Sequence, residues 1–185
     1  MGIAAVGFGA EPSVTLAPAL AAEFGGGAGL VGWLASSFGI GAGVGFFVFA
    51  SLHRRLGLPR LSSGGLLLMA GGLVLAAASG ISVVALASFG LAGVGMTLAF
   101  TSITTQIQDR SPNALRGRIM APWFVGFLGA RPFAAGLDGY LADIASVDVA
   151  LLVTAAIVMV VAYLCRPSRL STTASTDGQV QGRGV

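Results

Sequence analysis

Hydrophobic positions in this chain do not alternate with polar ones. They run on in long stretches, broken only by short islands of charge. Leu61 to Gln108 is 48 residues without a charged side chain, and Phe24 to Leu52 is 29. As a single helix the longer run would reach about 72 Å at 1.5 Å per residue, more than twice a hydrocarbon core of roughly 30 Å. It must fold back once, and "SGIS" (Ser79 to Ser82) is the turn chemistry for doing so. Ile119 to Leu141 is apolar except for Arg131 and Asp138, and Val149 to Cys165 is a short last run. The pattern predicts helices over about 1–22, 27–52, 61–79, 82–106, 117–141 and 147–165. Lipid-exposed backbone must bond internally and these segments are too long for barrel strands. The expected class is therefore an all-α membrane protein, a six-helix transmembrane bundle. The remainder, 166–185, is polar, starts at a proline, lacks aromatics and reads as a disordered tail.

Composition removes the soluble alternative. Charged residues are 9% of the chain and hydrophobic ones 55%, against about 25% charged in ordinary soluble domains. A pI of about 10.0 would fit nucleic-acid binding, but the ten basic side chains are all Arg and form no aromatic-interleaved patch. Nucleic acid is not an expected partner; the lipid bilayer is. The Arg residues sit in three islands: 54, 55 and 60; 110, 116 and 118; 166, 169 and 183, with only Arg131 elsewhere. With six spans, 53–60, 107–116 and the tail fall on one side, and the positive-inside rule makes that side cytoplasmic. The opposite loops, near Glu23, Ser79–Ser82 and Asp143–Asp148, hold acids and no Arg. The expected location is the inner (plasma) membrane, multi-pass, with the C-terminus cytoplasmic. No basic stretch precedes the first apolar residues, so a signal peptide is not expected. A single cysteine, Cys165, excludes a disulfide framework and a Cys-based metal site.

Two passages carry a family resemblance. "QDRSPNALRGRIMA" contributes Gln108, Pro112, Arg116, Gly117 and Arg118, and "GARPFAAGLDGYLAD" follows with Pro132, Gly136 and Gly139. This Q-x3-P-x3-RGR connector, leading into a Pro/Gly-rich helix, resembles the C-terminal half of a major facilitator superfamily transporter, in the drug, macrolide and siderophore exporter branch. "VTLAPALAAEFGGGAGLVGWLASSFGIGAGVG" resembles the seventh-to-eighth helix passage of that branch. The resemblance covers residues 5–165. It implies two inverted three-helix repeats, 1–79 and 82–165, and alternating access against a second bundle. It also implies a small amphipathic substrate and a coupling proton. Two departures stand out. The cytoplasmic D-R-x-G-R/K signature is degenerate in "HRRLGLPR", where Arg54 occupies the Asp position and Leu58 the last basic one. Family members have about twelve helices, so the chain reads as a fragment or a truncated reading frame whose partner is an N-terminal half or a second copy.

Candidate chemistry sits at mid-membrane. Glu11 lies 12 residues before Glu23 and Arg131 lies 13 past Arg118, about 18 and 20 Å along helices from opposite boundaries. An ion there costs roughly 3 kcal/mol or more and usually faces a bundle interior or water-filled cavity. One reading makes Glu11 a proton or cation site with Arg131 as its partner or an anion contact; the other is a structural ion pair. Asp138, nearer the outer interface, is expected to snorkel or cap. Thr97, Thr101, Thr104 and Gln108 recur at i, i+4, i+7 and i+11, one helical face. They could line a pathway, or the hydroxyls could bond their own i−4 carbonyls. Gly39, Gly41, Gly43 and Gly45 form overlapping G-x3-G pairs suited to close helix packing, here against a second bundle. Val44 stands where a dinucleotide fingerprint would need its third glycine, and no strand precedes it. His53 reads as a solvated interface residue, and Trp33 and Trp123 as packing or interface aromatics.

No cofactor is expected, as no ATP-binding or metal motif is present. An intramembrane enzyme would need a nucleophile–base pair, paired acids or a metal cluster. The only His is in a loop, the only Cys is terminal, and the two buried-run acids lie at different depths. A non-transporting scaffold predicts the same helices with no functional cavity.

Overall fold

The long apolar runs fold as helices, and among the described residues no strand forms. The computed structural model describes the backbone of residues 2–110 and 116–164, and the side chains of 2–109 and 121–164. In chain order these residues form α1 (Gly2–Ala10), α2 (Pro12–Thr15), α3 (Ala17–Glu23), α4 (Ala28–Leu56), α5 (Leu58–Ala77), α6 (Ser82–Arg110), α7 (Arg116–Ile144) and α8 (Val147–Leu164). Four of them, α4, α5, α6 and α8, are each long and apolar enough to cross a membrane; α1–α2 with α3 makes a fifth span if the bent pair is counted as one. The seventh helix has 29 residues, but its sequence includes Arg131, Asp138, Asp143 and two internal prolines. The protein is a helical membrane bundle.

The stretch expected as one helix over 1–22 is instead broken, with a bend of 44° between Thr15 and Ala17. Proline explains the breaks. Pro12 has no N–H to offer the Phe8 carbonyl, and the Glu11 N–H takes that carbonyl instead at 3.3 Å. Pro18 likewise withholds a donor just past Leu16, where the helix is interrupted again. Glu11 therefore lies at a break in the backbone of this apolar segment.

The basic loop expected over 53–60 shrinks to one residue. Gly57, at φ 76°, separates α4 from α5, a left-handed backbone that a side chain would strain. Arg54 and Arg55 end one helix and Arg60 lies near the start of the next. The turn at 78–81 separates α5 from α6. Pro112 and the tail lie outside the described residues. Arg116, Gly117 and Arg118 open α7 by backbone, with side chains outside the described set.

Packing centres on α6, which meets α5 on one side and α4 on the other. In lipid no hydrophobic drive pulls helices together, so close approach of backbones supplies the attraction. A methyl group added to Gly41 would strike the Gly90 carbonyl, and one on Gly93 would strike the Phe38 carbonyl. On the other side, Gly65 lies against Ala99 and Gly95, and Gly72 against Ser88 and Ala92. The Ser37 hydroxyl adds a 2.5 Å hydrogen bond to the Leu86 carbonyl across the α4–α6 seam. The glycine expectation thus divides. Gly41 and Gly45 pack inside this chain against α6, while Gly39 and Gly43 have nothing within 4 Å. Residues two apart on a helix point about 200° apart, so the four glycines cannot share one contact face.

Candidate functional site

The helix breaks at Pro12 and Pro18 set the Glu11 side chain against α7. Its Oε2 accepts a hydrogen bond from Arg131 Nε at 2.6 Å, and Oε1 receives the Thr15 hydroxyl at 3.2 Å. The Glu11 side chain is 10% exposed and that of Arg131 35%. The pair joins two segments 120 residues apart in sequence. Removing one partner of such a pair leaves the other charge uncompensated, which costs about 3–5 kcal/mol where burial is complete.

Arg131's open side faces a cavity of about 360 Å³. The broken span contributes Ala10, Ser13 and Val14 to its wall; α4 contributes Ala35, Phe38 and Gly39; Met96 and Phe127 complete it. Gly39, unpacked against any helix, thus opens onto this space. Ser13 donates to the Ala10 carbonyl at 2.7 Å, adding a local bond beside the helix break.

Beyond Met96 lies a second groove, of about 430 Å³. Thr97, Thr101, Thr104 and Gln108 all line it, together with Thr105 and Phe100 of the same helix and Phe46 of α4. Met96 borders both spaces. The hydroxyls divide. Thr104 donates to the Phe100 carbonyl at 2.6 Å and Thr105 to the Thr101 carbonyl at 2.8 Å, the back-bonding that a threonine on a helix can always adopt. Such a hydroxyl still offers lone pairs to a guest. Phe100, Trp123 and Phe127 form an edge-to-face cluster with centroids 5.0 and 5.2 Å from Phe100, joining α6 to α7 beside the groove. Trp123 is buried there and its indole N–H has no partner, whereas Trp33 is 67% exposed on α4.

Asp138 is where the sequence reading needs correction. It neither snorkels nor caps: it is fully buried, with Oδ1 accepting a 2.6 Å hydrogen bond from the Thr154 hydroxyl of α8. Its Oδ2 is buried without a partner. Sequence position alone put it near the outer interface; the Thr154 hydroxyl that bonds it, in the middle of the apolar run of α8, was the missed signal. His53 turns its Nδ1 to the Phe49 and Ala50 carbonyls and stacks on Phe49. Among the described residues, no three His, Cys, Asp or Glu side chains come together as a metal site would need.

The arrangement is a row of hydroxyls and an amide along α6 and, on the far side of Met96, an ion pair at a broken helix. The family model for the Major Facilitator Superfamily matches residues 1–182. No curated protein and no solved structure matches the chain.

Proposed function

The chain belongs to the Major Facilitator Superfamily, whose members are membrane transporters and not enzymes; from that premise we propose that it is the C-terminal six-helix half of a secondary active exporter. Its substrates are small amphipathic molecules, drug-, macrolide- or siderophore-like, moved against a proton gradient by alternating access. Its other half is an N-terminal bundle or a second copy. The basic helix ends face the cytoplasm, in the inner membrane.

One observation supports this reading above the rest. The four polar residues at helical spacing on α6 line a single groove that shares Met96 with the cavity beside Arg131. Apolar walls with a few hydroxyls and one cation suit an amphipathic guest. In this reading Arg131 meets the polar end of the substrate, and Glu11 holds that guanidinium in place. The Gly39–Gly43 face and the exposed apolar side chains Ile40, Val44 and Phe47 of α4 meet the second bundle. A rigid scaffold would have no reason to keep these spaces open.

Flux in liposomes tests the assignment. Co-reconstituted with its partner bundle, the chain drives proton-dependent movement of an amphipathic dye, and alone it drives none. Robust flux from the isolated chain would replace the two-half arrangement with a homodimer. Absence of flux from the complete assembly across a panel of amphipathic dyes would sink the exporter reading.

A further inference from the structure

Among the described residues two carboxylates lie inside the bundle, and one of them has its charge answered. Glu11 has Arg131 at 2.6 Å. Asp138 has a neutral hydroxyl at Oδ1 and nothing at Oδ2, although the whole side chain is buried. A bare carboxylate buried there is costly, and a hydroxyl donor does not neutralise it. The surrounding charges do not help. Among the described residues Glu11 is the charged group whose field reaches Asp138, and its sign is the same. Arg131, seven residues away on the same helix and so about 10 Å along it, is already committed to Glu11. The packed neighbour α8 has Asp148 and Tyr163 only towards its ends, the broken span has Glu23 at its far end, and α7 itself adds Tyr140 and Asp143. One cation and two carboxylates make a neutral site when they hold one proton.

Resting on the transporter reading above, we infer that the coupling proton of the cycle is carried by Asp138, with Thr154 as its cradle, and that Glu11 stays an anion locked to Arg131. The helix between the two sites is built to bend. Pro132 cannot bond the Leu128 carbonyl, and the open surroundings of Gly136 and Gly139 leave no neighbour to brace them. A small bend there draws Asp138 away from Thr154 and towards the Arg131 cavity. The O–H bond of the acid then breaks, the proton passes to water in that cavity, and the carboxylate comes within the field of Arg131. Reprotonation from the opposite side returns a neutral Asp138 to Thr154. The net charge around the Arg131–Glu11 pair thus follows the protonation of Asp138.

The test is infrared absorption of the full chain in lipid nanodiscs at neutral pH, reading the C=O band of a protonated carboxyl. The wild type shows the band, Glu11→Gln keeps it, Asp138→Asn abolishes it, and Thr154→Val moves its frequency by removing the hydrogen bond. If Asp138→Asn does not fold, the Glu11→Gln and Thr154→Val spectra decide alone. No band in the wild type, or a band lost in Glu11→Gln and unmoved in Thr154→Val, overturns the assignment. Ethidium flux in the complete transporter tests the transport reading separately. There Asp138→Asn removes the dependence of ethidium efflux on a pH gradient, and a variant that keeps that dependence overturns the assignment. A band pattern as stated without ethidium flux would remove the exporter reading and keep Asp138 as the proton holder.

Discussion

Glu11 and Asp138 are the same functional group in the same bundle, treated in opposite ways. Glu11 sits at a proline-induced break with a guanidinium on one oxygen and a hydroxyl on the other. Asp138 sits in unbroken helix against an apolar neighbour that offers one threonine. The first needs its partner to remain charged and in place. The second is comfortable only when its own charge is absent. The lesson is that a membrane carboxylate is defined less by depth than by what answers its charge, and that depth alone misassigns it.

The comparison is sharpest where the ion pair is broken. Arg131→Gln leaves Glu11 uncompensated, and the chain should lose about 3 kcal/mol of stability, at the low end of the buried-pair range because Arg131 is partly exposed. Adding Glu11→Gln should restore most of it, because no lone charge remains. Detergent-unfolding midpoints over the four variants measure this, and additive losses would mean that the pair does not couple. Next in size is packing. Gly41→Val drives a side chain into the Gly90 carbonyl and should cost about 1–3 kcal/mol, while Gly39→Val, with open space around it, should be close to neutral. Equal losses at the two positions would contradict the division of the glycine face. Smaller again is Thr154→Val, which removes the one hydrogen bond to Asp138 and should cost about 1 kcal/mol. Smallest of all is Asp138→Asn. It keeps a hydrogen-bonding group of the same shape and should change stability by less than about 1 kcal/mol, in contrast to Arg131→Gln. A loss as large as that of Arg131→Gln would place an unseen cation beside Asp138 and end the comparison.

Much of this was legible in the sequence, for definite reasons. A charge-free run of 48 residues has only one way to satisfy its backbone in lipid, so helices and the fold-back near Ser79 follow from length alone. The Thr97–Gln108 stripe could be read because a helix repeats its face every 3.6 residues, and all four positions line one groove. The break at Glu11 was missed, one helix being expected over 1–22, although Pro12 and Pro18 act on hydrogen bonding locally. The rest depended on which helix faces which. Nothing near Gly41 in sequence points to Gly90, and nothing near Asp138 points to Thr154, because both contacts join segments brought together only by packing. The open or packed state of each glycine is likewise a property of the neighbour.

Under the proposed function, the polar face from Gln108 to Arg131 is a water-accessible path through the bundle. With Cys165 replaced by Ala, single cysteines at Thr97, Thr101 and Thr104 can be compared with cysteines at Leu75 and Met159, exposed apolar positions on α5 and α8. The reagent is a charged, membrane-impermeant thiol probe applied to the complete transporter in inverted vesicles. The threonine positions should react at least tenfold faster than the apolar ones, with Thr104 ahead of Thr97 because it lies nearer the basic helix ends. Equal and slow reaction at all five positions would mean that the groove is sealed or lipid-filled, and that the chain carries no transport path along α6.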